Sequence, residues 1–206
     1  MPRVTRSARP PLRPAPATRG AGELRLIGGQ WKRSRLPIPD SPGLRPTPDR
    51  VRETLFNWLG QDLSGWRCLD AFAGSGALGF EAASRGATEV VLLERDPRLA
   101  ASLRSVQQRL GATQLRIEVA DALAWMAARI AAPFDLVLLD PPFDAGLAEP
   151  ALDAARLLLT GHGFLYLETD SAFDAGACAA RGLRLHRHLH AGRVHAHLMR
   201  PIDTAA

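Results

Sequence analysis

From Trp66 onward, strand-like and helix-like patterns alternate without a break, and no other feature limits the fold as tightly. "RCLDAF", "TEVVLLE", "QLRIEVA", "FDLVLLD" and "GFLYLET" are short, nearly continuous apolar runs. Between them, "GALGFEAASRG", "PRLAASLRSVQQRLG", "ALAWMAARIA" and "LAEPALDAARLLLT" carry helical spacing, the first two closed by Gly86 and Gly111. Strands apolar on both faces and separated by helices predict a parallel sheet covered on each side, with right-handed crossovers. Residues 172–180 read as a short helix, and "LRLHRHLH" with "RVHAHLM" reads as an antiparallel pair turned at Ala191-Gly192. The expected architecture is α/β and Rossmann-like: a mostly parallel seven-stranded sheet with helices on both faces and a C-terminal antiparallel hairpin.

The segment before this alternation differs in kind. "ELRLIGGQWKRSRLPIP" reads as two short strands joined at Gly28-Gly29, a pair able to supply the positive φ of a tight turn. A Pro-rich link leads to Thr47-Pro48, expected as N-cap and first helical residue, and Val51, Leu55, Trp58 and Leu59 then recur at helical spacing. Residues 1–22, rich in Arg, Pro and Ala, are expected to be a disordered basic tail, 23–60 a hairpin and helix extension, and 61–206 the main domain. The start lacks the apolar region of a secretory signal, and its prolines spoil an amphipathic transit helix. No stretch approaches the roughly 18 apolar residues of a membrane helix. Two cysteines, Cys68 and Cys178, make no disulfide framework, so a reducing cytoplasm is the expected compartment. Nothing signals an oligomer, and a monomer is the default.

Charge is placed unevenly. Residues 1–50 hold eleven Lys and Arg against three Asp and Glu, while the rest of the chain nets −3. Lys32 is the only lysine, so this charge is nearly all guanidinium, suited to phosphate forks and base stacking. Such clustering points to a polyanionic partner.

In an open parallel sheet, ligands sit beyond the carboxyl ends of the strands. After the first comes "DAFAGSGALG", in which Gly74, Gly76 and Gly79 fit G-x-G-x-x-G, with Glu94 about 20 residues further on, where an acid can accept ribose hydroxyls. A nicotinamide enzyme would show the same spacing. However, Asp70 ends the strand four residues before Gly74, placing negative charge where a pyrophosphate would be repelled. An acid there suits a cationic ligand with an amino group, such as S-adenosylmethionine. After the third strand, Asp121 is placed either to accept from an adenine amino group or to cap the following helix.

After the fourth strand, "LVLLDPPFD" stops an apolar run on a carboxylate, two prolines and an aromatic ring. Pro141 biases Asp140 toward extended backbone, and neither Pro141 nor Pro142 donates an amide hydrogen, so the loop offers only acceptors. Two acceptors can hold both hydrogens of an exocyclic NH₂ and aim its lone pair at an electrophilic methyl, while Phe143 stacks on the base.

Together, "LDAFAGSGALG" and "LDPPF" resemble the amino-directed class I methyltransferases. "RLIGGQWKRSRLPIPDSPGLRPTPDRVRETLFNWL" is similar over its whole length to the N-terminal region of the bacterial RsmD-type family, which methylates guanine N2 in small-subunit (16S) ribosomal RNA. The likeness covers roughly residues 24–200. It implies a catalytic loop of Asp140, Pro141, Pro142 and Phe143. It implies S-adenosylmethionine binding by Asp70, Phe72, Gly74, Ser75, Gly76, Glu94, Arg95, Asp121 and Ala122. It implies an RNA face made by the hairpin, with Arg25, Lys32, Arg33 and Arg35, together with Arg45, Arg50 and Arg52. The implied partner is small-subunit ribosomal RNA within an assembling particle, with no metal and no membrane. The tail departs from the family in length and is assigned only nonspecific phosphate binding.

Other substrates with the same chemistry, an adenine or cytosine amine in DNA or a glutamine amide, remain alternatives, as does a non-catalytic RNA-binding assembly factor. Five histidines fall between 186 and 197, and strand alternation puts His186, His188 and His190 on one face. No Cys or carboxylate cluster joins them, so exposed or RNA-facing positions are expected rather than a metal. The tryptophans are expected to pack, with Trp31 the best candidate for a base platform because basic residues flank it.

Overall fold

The computed structural model describes residues 22–39, 47–128 and 133–202. Two short strands, β1 (Glu23–Arg25) and β2 (Arg35–Pro37), pair antiparallel and are followed by helix α1 (Asp49–Trp58). The main sheet is built from β3 (Arg67–Asp70), β4 (Glu89–Glu94), β5 (Leu115–Val119), β6 (Phe134–Leu139), β7 (Leu159–Thr169), β8 (Leu183–Ala191) and β9 (Val194–Pro201). Its order is β5-β4-β3-β6-β7-β9-β8, parallel except at β9, which runs antiparallel to both β7 and β8. This is the expected α/β class, with the antiparallel hairpin at one edge.

Period-2 alternation along the strands divides the core into two layers. Val90, Leu92, Leu136 and Leu138 face α1, α2 (Ala77–Ser84) and α3 (Pro97–Leu110). Val91, Leu93, Val137 and Leu139 face α4 (Ala122–Ala127), α5 (Ala148–Ala155) and α6 (Ala175–Ala179). Strands apolar on both faces are thus explained by helices on both faces. The extension shares the first layer: Leu24, Leu26, Leu36, Leu55 and Phe56 are all buried in it, with Trp31, Trp58 and Trp66 packed against it. Trp31 therefore packs on the core instead of standing free. Among the described residues, no helix is long and apolar enough to cross a membrane.

Three local expectations are corrected. Gly28-Gly29 is not the turn of the β1–β2 ribbon. The connection is longer, closed by backbone bonds from Leu26 N to Ser34 O (2.9 Å) and Arg33 N to Leu26 O (2.8 Å). The glycines are instead pressed against the end of α2: a Cβ on Gly28 would lie 2.4 Å from Arg85 Nη2, and one on Gly29 (φ +71°) 1.8 Å from the Ser84 carbonyl oxygen. Thr47 does not cap α1 either. Pro48 occupies that position without a side-chain bond, and the Thr47 hydroxyl turns toward Asp140. Third, β7 begins at Leu159, which pairs with Phe134 ahead of a register shift, so the strand is longer than its apolar run.

Candidate active site

Strands β3 and β6 are neighbours at the centre of the sheet, with Asp70 opposite Leu138 in register. From there the chain order departs in opposite directions, to β4 on one side and β7 on the other, opening the crevice where α/β sheets hold ligands. Gly74 and Gly76 take positive φ (+52° and +79°), which lets the loop turn above β3. At Gly79 the requirement is space: a Cβ would lie 2.9 Å from Leu92 Cγ and 3.0 Å from Asp70 Oδ2.

Asp70 is buried and accepts from Gly79 N at 2.8 Å through Oδ2, while Oδ1 has no hydrogen-bond partner. Burial, reinforced by Asp140 and Glu94 and opposed by the Gly79 bond, pushes its carboxyl up to about 7. Glu94 clamps the loop, taking Gly74 N at 2.9 Å and Asp96 N at 2.8 Å. Phe72 is half-buried, Ser75 buried and Arg95 exposed. Asp121 is exposed and caps α4, accepting from Ala124 N at 2.9 Å, and Ala122 is buried behind it. A buried carboxylate oxygen without a partner, beside two more acids and open glycine backbone, fits a cationic, amine-bearing ligand such as S-adenosylmethionine. It fits a pyrophosphate poorly.

One strand over, Asp140 is half-buried, and its Oδ2 accepts from Thr47 Oγ1 at 3.2 Å. Desolvation pushes its carboxyl up to about 6, and the Thr47 bond opposes the rise. Pro141 is buried, Pro142 exposed and Phe143 half-buried at the start of a 3₁₀ turn. Pro141, Pro142 and Phe143, next to Asp140 in the chain, line an open cleft of about 360 Å³ together with Glu168, Thr169 and Phe173. Glu168 is 2% exposed and accepts from Tyr166 OH at 2.8 Å. Burial and the nearby Asp140 push it well above the usual carboxylate range. Tyr166 and Glu168 were not singled out from sequence, and Thr47 was read only as a helix cap. A signal was present: "CLD", "LLE", "LLD" and "YLE" each end an apolar strand run on an acid, and Glu168 completes that set.

Of the arginines and lysine expected to face RNA, Arg25, Lys32, Arg33, Arg35 and Arg50 are exposed, with Arg35 paired to Glu23 at 2.8 Å. Arg45 lies outside the described residues. Arg52 is a correction, because its side chain is fully buried. Its guanidinium donates to Arg25 O (3.0 Å) and Asp49 Oδ1 (2.5 Å) and lies 3.6 Å from Glu81. Glu81 in turn accepts from Ile27 N, Gly28 N and Arg85 at 2.7–2.8 Å. Arg52 therefore anchors the extension from below, where no polyanion reaches it.

The histidines are also redistributed. A bulge in β8 between Leu185 and Arg187 shifts the alternation, so His186 packs on Phe164 (6.0 Å between ring centroids). On the other layer's side, His190 instead stacks on His195, and His188 meets His195 edge to edge at 3.1 Å. Among the described residues, no group of three or more His, Cys, Asp or Glu is arranged to hold a metal ion.

The family described as conserved hypothetical protein 95 matches residues 24–200. The chain is 49% identical to ribosomal RNA small subunit methyltransferase D of Escherichia coli over 123 residues, 60% of this chain and 62% of that protein. The aligned stretch thus spans somewhat under two thirds of that relative. Identity to the protein of the same name from Haemophilus influenzae is 44% over 154 residues, 72% of this chain and 80% of that one. A solved Escherichia coli chain named as methyltransferase yhhF superposes with a TM-score of 0.76 at 37% identity, covering 88% of this chain and all of that one.

Proposed function

The chain belongs to the conserved hypothetical protein 95 family, that of the RsmD-type methyltransferases, and on that premise we propose that it methylates the exocyclic N2 of a guanine in small-subunit (16S) ribosomal RNA, in the cytoplasm. The observation that carries this reading is the acceptor-only corner at Asp140-Pro141, one strand from the unpartnered Asp70 oxygen.

S-adenosylmethionine, when bound, supplies a methyl group activated by its sulfonium. Asp70, Phe72, Gly74, Ser75, Gly76, Glu94, Arg95, Asp121 and Ala122 are the residues that would hold it. Asp70 offers the acceptor for its amine, Glu94 for its ribose and Asp121 for its adenine.

On the substrate side, Asp140 and the Pro141 carbonyl accept the two N2 hydrogens, and Phe143 supports the ring. Aligning the lone pair matters more than deprotonating it, since a guanine amine is scarcely basic. The proton released after transfer goes to Asp140, whose affinity for it is already raised, or to water. The base must leave its stack to reach this corner, and the cleft beside Phe143 gives it room. Arg25, Lys32, Arg33, Arg35 and Arg50 would hold the RNA backbone on the extension.

The test is methyl transfer from labelled cofactor to ribosomal RNA, DNA and protein, followed by nucleoside mass spectrometry. N2-methylguanosine in small-subunit RNA is the expected product, and label in DNA with RNA inert would reverse the assignment. Asp140→Ala should leave cofactor affinity nearly intact while turnover falls on the order of 100-fold.

A further inference from the structure

The β8–β9 hairpin packs behind the cleft residues Thr169 and Phe173, and the proposed function leaves it without a role. Thr169, which lines the cleft at the carboxyl end of β7, pairs in register with His195 near the start of β9. The tip at Gly192-Arg193 therefore stands level with the rim where the target base must enter.

A column of rings runs from the cleft to this tip. Phe173, itself a cleft residue, meets His197 edge-on at 5.9 Å. His197 stacks on His188 at 4.7 Å, His188 meets His195 edge to edge with Nε2 3.1 Å from Nδ1, and His195 stacks on His190 at 4.1 Å. The inner end is locked: His197 Nε2 accepts from Phe173 N at 3.0 Å, and its Nδ1–H donates to Leu167 O at 3.3 Å. Burial then lowers its imidazolium to about 4, so this ring is neutral. His188 and His190 are exposed and His195 half-buried, so the column presents flat ring surface to solvent at its outer end.

The hairpin also breaks the charge pattern of the main domain. Leu183 to Pro201 holds four arginines and five histidines with no Asp or Glu, inside a stretch from residue 51 onward that nets −3. Arg193 sits exposed in the turn. Asp170, at the cleft end, is the acid that faces His195.

Flat rings beside guanidinium, leading into a cleft for a flipped base, match a single-stranded nucleic acid. Bases stack on His and aromatic faces while cations take the phosphates. We propose that the β8–β9 hairpin is a second RNA-binding surface, in which His190 and His195 stack on a base flanking the target and Arg193 contacts an adjacent phosphate. This rests on the methyltransferase reading above. It adds to that reading a contact separate from the β1–β2 extension.

The experiment compares wild-type protein with His190→Ala/His195→Ala and with Arg193→Glu, using a small-subunit ribosomal RNA fragment as substrate. KM for RNA should rise about tenfold or more in both variants, with kcat at saturating RNA and cofactor affinity unchanged. The slope of log affinity against log salt should fall by roughly one for Arg193→Glu. Arg193 lies in an exposed turn, so its variant decides the matter if the histidine variant folds poorly. Unchanged KM and salt slope in Arg193→Glu, with wild-type protein active, overturn the proposal and leave the methyltransferase assignment standing. Loss of self-association with RNA KM unchanged would give this face to a second copy of the chain and also overturn it. Should the wild type methylate no RNA, the salt slope of binding still decides whether the hairpin contacts it.

Discussion

Thr47 Oγ1 donates to Asp140 Oδ2 at 3.2 Å across 93 residues of sequence, tying the start of α1 to the proposed catalytic acid. A hydrogen bond to a charged group is worth about 1.5–3 kcal/mol, and this one favours the ionised carboxylate. Thr47→Val keeps the shape and removes the donor. Turnover at neutral pH is expected to fall about tenfold with cofactor affinity unchanged. The pH profile of kcat should shift upward, because Asp140, already at about 6, would ionise later. An unshifted profile would show that the bond is structural only.

Asp70 gives a pH dependence of defined sign. Its carboxyl is raised from 3.8 to about 7, chiefly by burial, so the folded protein binds this proton more tightly than the unfolded chain. The associated stability is present in full below the unfolded value and is lost as pH rises through about 7. Without ligand, Asp70→Asn should therefore be more stable than wild type at pH 8, measured by urea denaturation, and the advantage should vanish near pH 4. Cofactor binding runs the other way: a cationic ligand favours the ionised acid, so wild-type affinity should climb between about pH 6 and 8 and the Asn variant should show neither the affinity nor the climb.

Glu81 is the fully buried acid that collects two backbone amides of the extension and lies between Arg52 and Arg85. Removing it strands two buried guanidinium groups. Glu81→Ala should cost on the order of 3–5 kcal/mol in denaturant unfolding. Arg52→Ala should likewise lower stability. Arg33→Ala, on the exposed loop, should leave stability unchanged and reduce the salt dependence of RNA binding. If Arg52→Ala changed the salt slope at full stability, the buried assignment would be wrong.

Gly29→Ala tests the seating of the extension. The added methyl combines a φ of +71° with a 1.8 Å clash against the Ser84 carbonyl, so the loop must lift from α2. RNA affinity should drop, while cofactor affinity, set beyond β3 to β5, should hold. A parallel loss of both would mean that the extension and the glycine loop fold as one unit.

The α/β class, and the positions of the glycine loop, Asp70, Glu94 and Asp140-Pro141 at strand ends, were legible in the sequence. Each is a local statement: a period of apolar residues, or an acid ending a strand. Thr47, Tyr166 and Glu168 were not, because their importance lies in contacts made by residues distant in sequence or placed across a sheet. Thr47 in particular follows the rules of an N-cap, and only the approach of β6 gives its hydroxyl a stronger acceptor.

Arg52 and Gly28-Gly29 mark the same boundary from the other side. An arginine among arginines reads as surface, and a glycine pair between strands reads as a turn. Packing of the extension on α2 buried the one and pressed the other against Ser84 and Arg85. The histidine face was decided by a single extra residue in β8, which reverses alternation beyond it. Sequence by itself thus determined which elements form and which strand ends carry acid, since periodicity and backbone chemistry act over neighbouring residues. Tertiary structure decided which polar groups meet, because desolvation and hydrogen bonding depend on the elements that close over them.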